Sequence, residues 1–244
     1  MDVIVTKDLC KKYKDVIAVK DLNLAIKEGE LFSLLGVNGA GKTTTIKMLS
    51  TLIKPTSGDA FIYDYSILEY EDQIKEMIDI SMQETAIARK LTVNENIEFY
   101  AQLSGQNKEE VEESKKYVYS TFGLDKVANK QASKLSGGWQ RKLSIALALI
   151  TKPKVLFLDE PTLGLDVLAR RELWNTIEAL KGKMTIILTT HYMEEAEALS
   201  DRIGIMKDGE LLFVGTKQEM FDNSGKNNVE EAFIEIVSRG NTNE

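Results

Sequence analysis

Near the start of the chain come short β-like runs, the apolar residues 3–5 (VIV) and 16–19 (VIAV), and then 22–26 (LNLAI), where apolar and polar positions alternate. Such alternation lines one face of a strand with apolar side chains, and the three runs predict a small antiparallel sheet. Gly29-Glu30 turn the chain into residues 31–35 (LFSLL), the mostly apolar signature of a strand with both faces buried, which ends at Gly36. The period becomes helical over 43–49. Pro55, Ser57 and Gly58 interrupt it before a strand pattern resumes at 60–63. From about 86 to 150 the period stays helical, with Ile97, Tyr100 and Ala101 on one stripe and Val111, Lys115, Val118 and Phe122 on another. A helical insert is expected there.

Beyond the insert, residues 155–158 (VLFL), 185–189 (TIILT) and 203–206 (IGIM) alternate with helical stretches, as in a parallel sheet built from βα units. Asp208-Gly209 is a hairpin signal ahead of 211–214 (LLFV). The chain then closes on a polar stretch around one short apolar helix, 229–237. The reading is an α/β chain in which one unit covers 1–224, carries the helical subdomain at about 86–150, and precedes a tail at 225–244. No internal repeat interrupts it.

Composition narrows the classes. A formal net charge of −7, with 38 acidic against 31 basic residues, gives no general attraction to nucleic acid or anionic lipid. The single cysteine, Cys10, leaves no partner for an intrachain disulfide and fits a reducing compartment, so the cytosol is expected. The N-terminus has no long apolar core of a secretory signal. The run Ile145 to Ile150 falls far short of the roughly 20 apolar residues that cross a bilayer.

Candidate chemistry lies at the ends of the predicted parallel strands. Gly36-Val37-Asn38-Gly39-Ala40-Gly41-Lys42-Thr43 is a complete G-x-x-x-x-G-K-T phosphate loop, after a strand and before a helix. Its glycines let backbone amides close on the β-phosphate, Lys42 reaches the β and γ oxygens, and the Thr43 hydroxyl is a magnesium ligand. Asp159-Glu160 follows a buried strand at the edge where α/β sheets bind ligands. Asp159 suits magnesium and Glu160 suits polarisation of an attacking water; the competing use of this segment is to cap the next helix. His191, the only histidine, ends another predicted strand and is placed to donate to a γ-phosphate. A second anion-like helix start, Leu135-Ser136-Gly137-Gly138, stands far from the phosphate loop.

With these motifs the chain resembles the nucleotide-binding subunits of ABC transporters from about Val3 to about Phe221. Leu135-Ser136-Gly137-Gly138 resembles the family signature, Asp159-Glu160 the Walker B end with its catalytic glutamate, Gly164-Leu165-Asp166 the D-loop and His191 the switch histidine. The resemblance implies a P-loop NTPase fold that binds and hydrolyses ATP with Mg2+. It implies catalytic roles for Glu160, His191 and the Q-loop glutamine Gln83, which also joins Thr43 and Asp159 toward the metal. Nucleotide contacts would come from Tyr13, stacked on adenine, from the phosphate loop through Thr44, and from Ser136, Gly137 and Gly138 toward the nucleotide of a second subunit. Val37, Trp139 and Leu163 depart from the commonest family pattern without removing a donor, ligand or base, and Trp139 is read as a core anchor with Leu143 and Ile150.

The expected partners are a second nucleotide-binding subunit, paired head to tail, and separate transmembrane permease subunits docking near the insert and Gln83. They would hold the chain at the cytoplasmic face of a membrane. The stretch from Asp159 through Arg171, together with "THYMEEAEALSDRIGIM", is most similar to the drug, antibiotic or lipid export branch. Alternatives are an ABC-type ATPase of assembly, or one acting on nucleic acid or the ribosome. The roughly 90 residues between Lys42 and Leu135 leave no room for the long coiled coil of DNA-repair members.

Overall fold

The first strand, β1 (Asp2–Tyr13), is far longer than the apolar run at residues 3–5 suggests, because it serves three partners. It pairs antiparallel with β2 (Val16–Leu22), with β3 (Ala25–Lys27) and, from Ile4 to Cys10, with β5 (Ser57–Ile62). Buried Thr6 stitches the gap between β2 and β3: its Oγ1 donates to Leu22 O and accepts from Leu24 N. The short β6 (Tyr65–Ser66) completes this five-stranded sheet. The computed structural model describes residues 1–240.

The larger sheet is built on β4 (Leu31–Leu35), every residue of which is buried. Its order is β11-β10-β4-β9-β8-β7, formed by β7 (Ile78–Ser81), β8 (Val155–Asp159), β9 (Thr185–Thr190), β10 (Arg202–Lys207) and β11 (Glu210–Gly215). All neighbours are parallel except the hairpin β10–β11, whose Asp208 and Gly209 both have positive φ, as the Asp-Gly pair anticipates. At the far edge, β7 alternates apolar and polar residues over only four positions, Ile78-Asp79-Ile80-Ser81. Its Asp79 side chain accepts from Ile80 N and from Thr151 Oγ1.

Helix α1 (Lys42–Leu49) follows β4, and α2 (Glu71–Lys75) precedes β7. The insert holds α3 (Val93–Leu103), α4 (Lys108–Phe122) and α5 (Gly137–Ala148). Capping boxes open α3 (Thr92 with Glu95) and α4 (Asn107 with Glu110), and left-handed Gly123 ends α4. Lys115 is not a core residue of its stripe: Nζ pairs with Glu98 at 2.8 Å and Glu112 at 3.1 Å, joining α4 to α3. Helix α5 shares one apolar cluster with Leu31, Leu156 and Ile186 of the large sheet, and half-buried Trp139 packs on that cluster with Leu143 and Ile150.

Helices α6 (Val167–Glu178), α7 (Met193–Leu199), α8 (Lys217–Ser224) and α9 (Val229–Arg239) complete the fold. Helix α9 buries Val229, Ala232, Phe233 and Ile236 in a cluster with Leu35, Ile203 and Met220, so the segment from 229 is docked on the sheet. No helix among the described residues is long and apolar enough to cross a membrane.

Candidate functional site

The chain leaves β4 at Leu35 and enters α1 through a loop that only glycine can shape at two points. Gly36 donates its N–H to Thr190 O at 3.2 Å, and a Cβ there would collide with Met206 O. Gly41 caps α1 with φ 103°, and a Cβ would collide with Ala18 O. No side chain caps α1 and no acidic residue lies in its first turn. The amides at this helix start are therefore available to an anion, with the helix dipole in support.

Lys42, 4% exposed, reaches back along the loop: Nζ donates to Gly36 O at 2.7 Å and Val37 O at 3.1 Å and lies 3.5 Å from Glu160 Oε1. Burial draws its pKa below the usual lysine range, while Glu160 and then Asp159 oppose that shift. Across the loop, Asp159 is buried at the end of β8 and its Oδ1 accepts from Thr43 Oγ1 at 3.0 Å and Thr189 Oγ1 at 2.6 Å. Its Oδ2 is buried with no hydrogen-bond partner among the described residues. An orphaned carboxylate oxygen bonded through its twin to the Thr43 hydroxyl fits a hard oxygen-seeking cation.

Glu160 follows in the left-handed region, φ 45°, with its N–H donating to Thr189 O at 3.1 Å and Thr189 Oγ1 at 3.0 Å. His191 Nδ1 lies 3.0 Å from Glu160 Oε2, and its ring packs on Tyr192 with 4.1 Å between centroids. The carboxylate is thus held between Lys42 and His191.

These groups meet at a cleft of about 520 Å3. Its wall runs along the loop from Asn38 to Thr44 and includes Tyr13, Gln83, Glu160 and His191. Ala18 and Leu163 also line it. Ser136, Gly137 and Gly138 do not. They start α5 on the surface, where Ser136 is exposed and its side chain caps nothing. Close by, a Cβ on Gly138 would press on Ala169 of α6. The N-terminal turn of α6, capped by Asp166, exposes Val167 and Leu168 at 78% and 77%.

A model of the ABC transporter family matches residues 19–163, which contain the phosphate loop, Gln83, the Ser136 helix start and Asp159-Glu160. The chain belongs to the ABC transporter family. This cassette is 47% identical over 203 residues to the human phospholipid-transporting ATPase ABCA3, covering 83% of the chain and 12% of that protein. It is 36% identical over 241 residues to the probable multidrug ABC transporter ATP-binding protein YbhF of Escherichia coli strain K12, covering 96% of the chain and 42% of that protein. It therefore spans less than half the length of each of these curated relatives. Among solved structures it resembles an ATP-binding subunit of an ABC transporter (TM-score 0.85, 27% identity, 96% of this chain and 99% of that one). It also resembles a cassette solved as a dimer in a post-hydrolysis state bound to ADP and Pi (TM-score 0.78, 28% identity, 87% and 98%). The P-loop NTPase fold expected from the motifs is the observed fold.

Two residues of the ABC cassette's site escaped the sequence reading. Thr189 bonds both Asp159 and Glu160, yet it is one of three threonines in β9, and nothing in the strand's pattern sets it apart. Arg141, buried on α5, is one more basic residue after a glycine pair. Burial brings its pKa down to about 10, with Asp159 and Glu195 opposing, so the guanidinium stays charged near neutrality.

Proposed function

We propose that the chain binds and hydrolyses ATP as one of a head-to-tail pair of cassettes and powers transport through separate transmembrane subunits. The observation that carries the reading is Glu160, a buried carboxylate held at the phosphate-loop cleft by Lys42 and His191. ATP would lay its phosphates on the uncapped start of α1, with the adenine against Tyr13. Lys42 then exchanges its carbonyl and carboxylate contacts for the β and γ oxygens. This frees Glu160 to accept a proton from the attacking water, with His191 holding its Oε2 and Gln83 on the facing wall. Thr43, Asp159 and Gln83 would hold Mg2+, which neutralises charge on the β and γ oxygens.

Ser136 and the Gly138 amide start an exposed helix outside the cleft, as expected of groups that serve the γ-phosphate of a second cassette. Exposed Val167 and Leu168 beside them give that face apolar area to bury. The partner is a second copy or a close paralogue.

A groove of about 390 Å3 between β7 and the insert, lined by Ile80, Met82, Ala86, Tyr100 and Leu103 among others, suits the permease subunits. Leu103 is 72% exposed at its rim. The kinship with a phospholipid-transporting and a probable multidrug protein favours export of an amphipathic substrate, with the cassette on the cytoplasmic face.

The decisive variant is Glu160→Gln, which keeps the shape and removes the base. It should bind ATP, lose phosphate release and accumulate as a dimer with ATP, read by light scattering with and without nucleotide. Phosphate release at the wild-type rate sinks the assignment of Glu160.

A further inference from the structure

Arg141 lies one turn into α5, behind the signature glycines, and is 3% exposed. Its guanidinium is bonded to no carboxylate among the described residues. It donates through Nε to Pro161 O at 2.7 Å, through Nη2 to Asp159 O at 2.9 Å, and through Nη1 to Met82 O and to Gln83 O, the latter at 3.3 Å. All four acceptors are backbone carbonyls. They belong to two loops, one leaving β7 and the other leaving β8, its parallel neighbour.

Asp159 and Pro161 are the residues on either side of Glu160. Glu160 itself sits at φ 45°, where a residue with a Cβ is strained and persists only if its surroundings fix it. Arg141 anchors the carbonyl before and a carbonyl after, Thr189 anchors the Glu160 amide, and Leu163 N donates to Glu160 O at 3.2 Å. The planar fork of an arginine spans such divergent acceptors, whereas a lysine ammonium on a single stem does not.

We propose that Arg141 is a positioning residue for Glu160. It holds the left-handed turn that carries the carboxylate and ties that turn, with the Gln83 loop, to the signature helix. The proposal rests on Glu160 being the general base, so the test separates the two.

Arg141→Lys and Arg141→Gln are made in the full chain, alone and with Glu160→Gln. Each is assayed for magnesium–ATP hydrolysis, single-turnover phosphate release and affinity for a non-hydrolysable ATP analogue. With the carboxylate displaced but the phosphate loop intact, kcat should fall about tenfold or more while KM and analogue affinity stay within about threefold. In the Glu160→Gln background the lysine change should cost nothing further, because its effect runs through the lost carboxylate. Equal losses in both backgrounds, a wild-type kcat in Arg141→Lys, or failure of both variants to bind the analogue overturns the proposal, the last by making Arg141 a folding residue. Those results leave Glu160 as the base. Wild-type turnover in Glu160→Gln alone instead brings down that reading and this proposal with it.

Discussion

Thr189→Val removes one hydroxyl from a fully buried position and keeps the side chain's shape. That hydroxyl donates to Asp159 Oδ1 at 2.6 Å and accepts from Glu160 N at 3.0 Å. The Glu160 amide keeps a second acceptor, Thr189 O at 3.1 Å, so little is lost there. Asp159 loses more: its Oδ1 keeps only the Thr43 hydroxyl at 3.0 Å and its Oδ2 has no partner among the described residues. A hydrogen bond to a charged group contributes about 1.5–3 kcal/mol, and leaving a buried acceptor short of a donor costs at that scale. For a chain of this length each kcal/mol moves the melting point by about 2–4 °C. The nucleotide-free variant should therefore melt about 3–12 °C below wild type. Thr189→Ser, which restores the hydroxyl, should recover most of the difference, and magnesium with ATP should narrow it by giving the carboxylate another partner. Scanning calorimetry of the three proteins with and without nucleotide measures this. A Thr189→Val protein melting within about 1 °C of wild type, or a serine variant as labile as the valine one, refutes the reasoning.

Ser136→Arg should retain analogue affinity within about threefold, because the residue lies outside its own chain's cleft, while ATP-driven pairing and turnover are lost; a variant that hydrolyses ATP normally ends the shared-site reading. Asp79 sits in the groove assigned to the permease, and burial raises its pKa from 3.8 to about 6 against hydrogen bonds from Ile80 and Thr151. The folded state thus holds this proton more tightly than the unfolded chain. The group adds stability as pH falls from 7 through 6 toward 4 and withdraws it as pH rises. Asp79→Asn should flatten that part of the pH–melting curve, and parallel curves for the two proteins would show that the carboxyl does not titrate there.

What residue pattern alone revealed of the site was contiguous in the chain, while the isolated Tyr13, Gln83 and His191 were placed by their order in the family resemblance. Gly36 to Thr43 and Asp159-Glu160 carry their chemistry in adjacent residues, so period and motif together place them at strand ends. What stayed hidden depends on pairing between distant segments. Nothing marks Thr189 until β9 lies beside β8, and nothing marks Arg141 until the loops after β7 and β8 converge on one guanidinium. The full length of β1 was invisible because its outer half is polar and earns its pairing from three partners in succession. Strand β7 does not stand out, since its alternation, Ile78-Asp79-Ile80-Ser81, runs for only four residues. Nor does glutamate announce a left-handed backbone: the turn at Glu160 comes from bonds made on either side of it. The surface position of Ser136, by contrast, agrees with the oddity of a second anion-like helix start far from the first.

Strand β4 leaves the ribosome well before its two hydrogen-bonded neighbours, β9 and β10, which are among the last strands of the sheet to be made. Gly36 bonds to Thr190 and lies against Met206, so the phosphate loop takes its shape from residues synthesised most of a chain later. Pairing at such separations is slow to form and leaves early intermediates with open strand edges. Nucleotide has no finished loop to bind during that interval and gives the nascent chain no protection. ATP rewards only the completed sheet, so stabilisation by nucleotide reaches the fold only once β9 and β10 are in place.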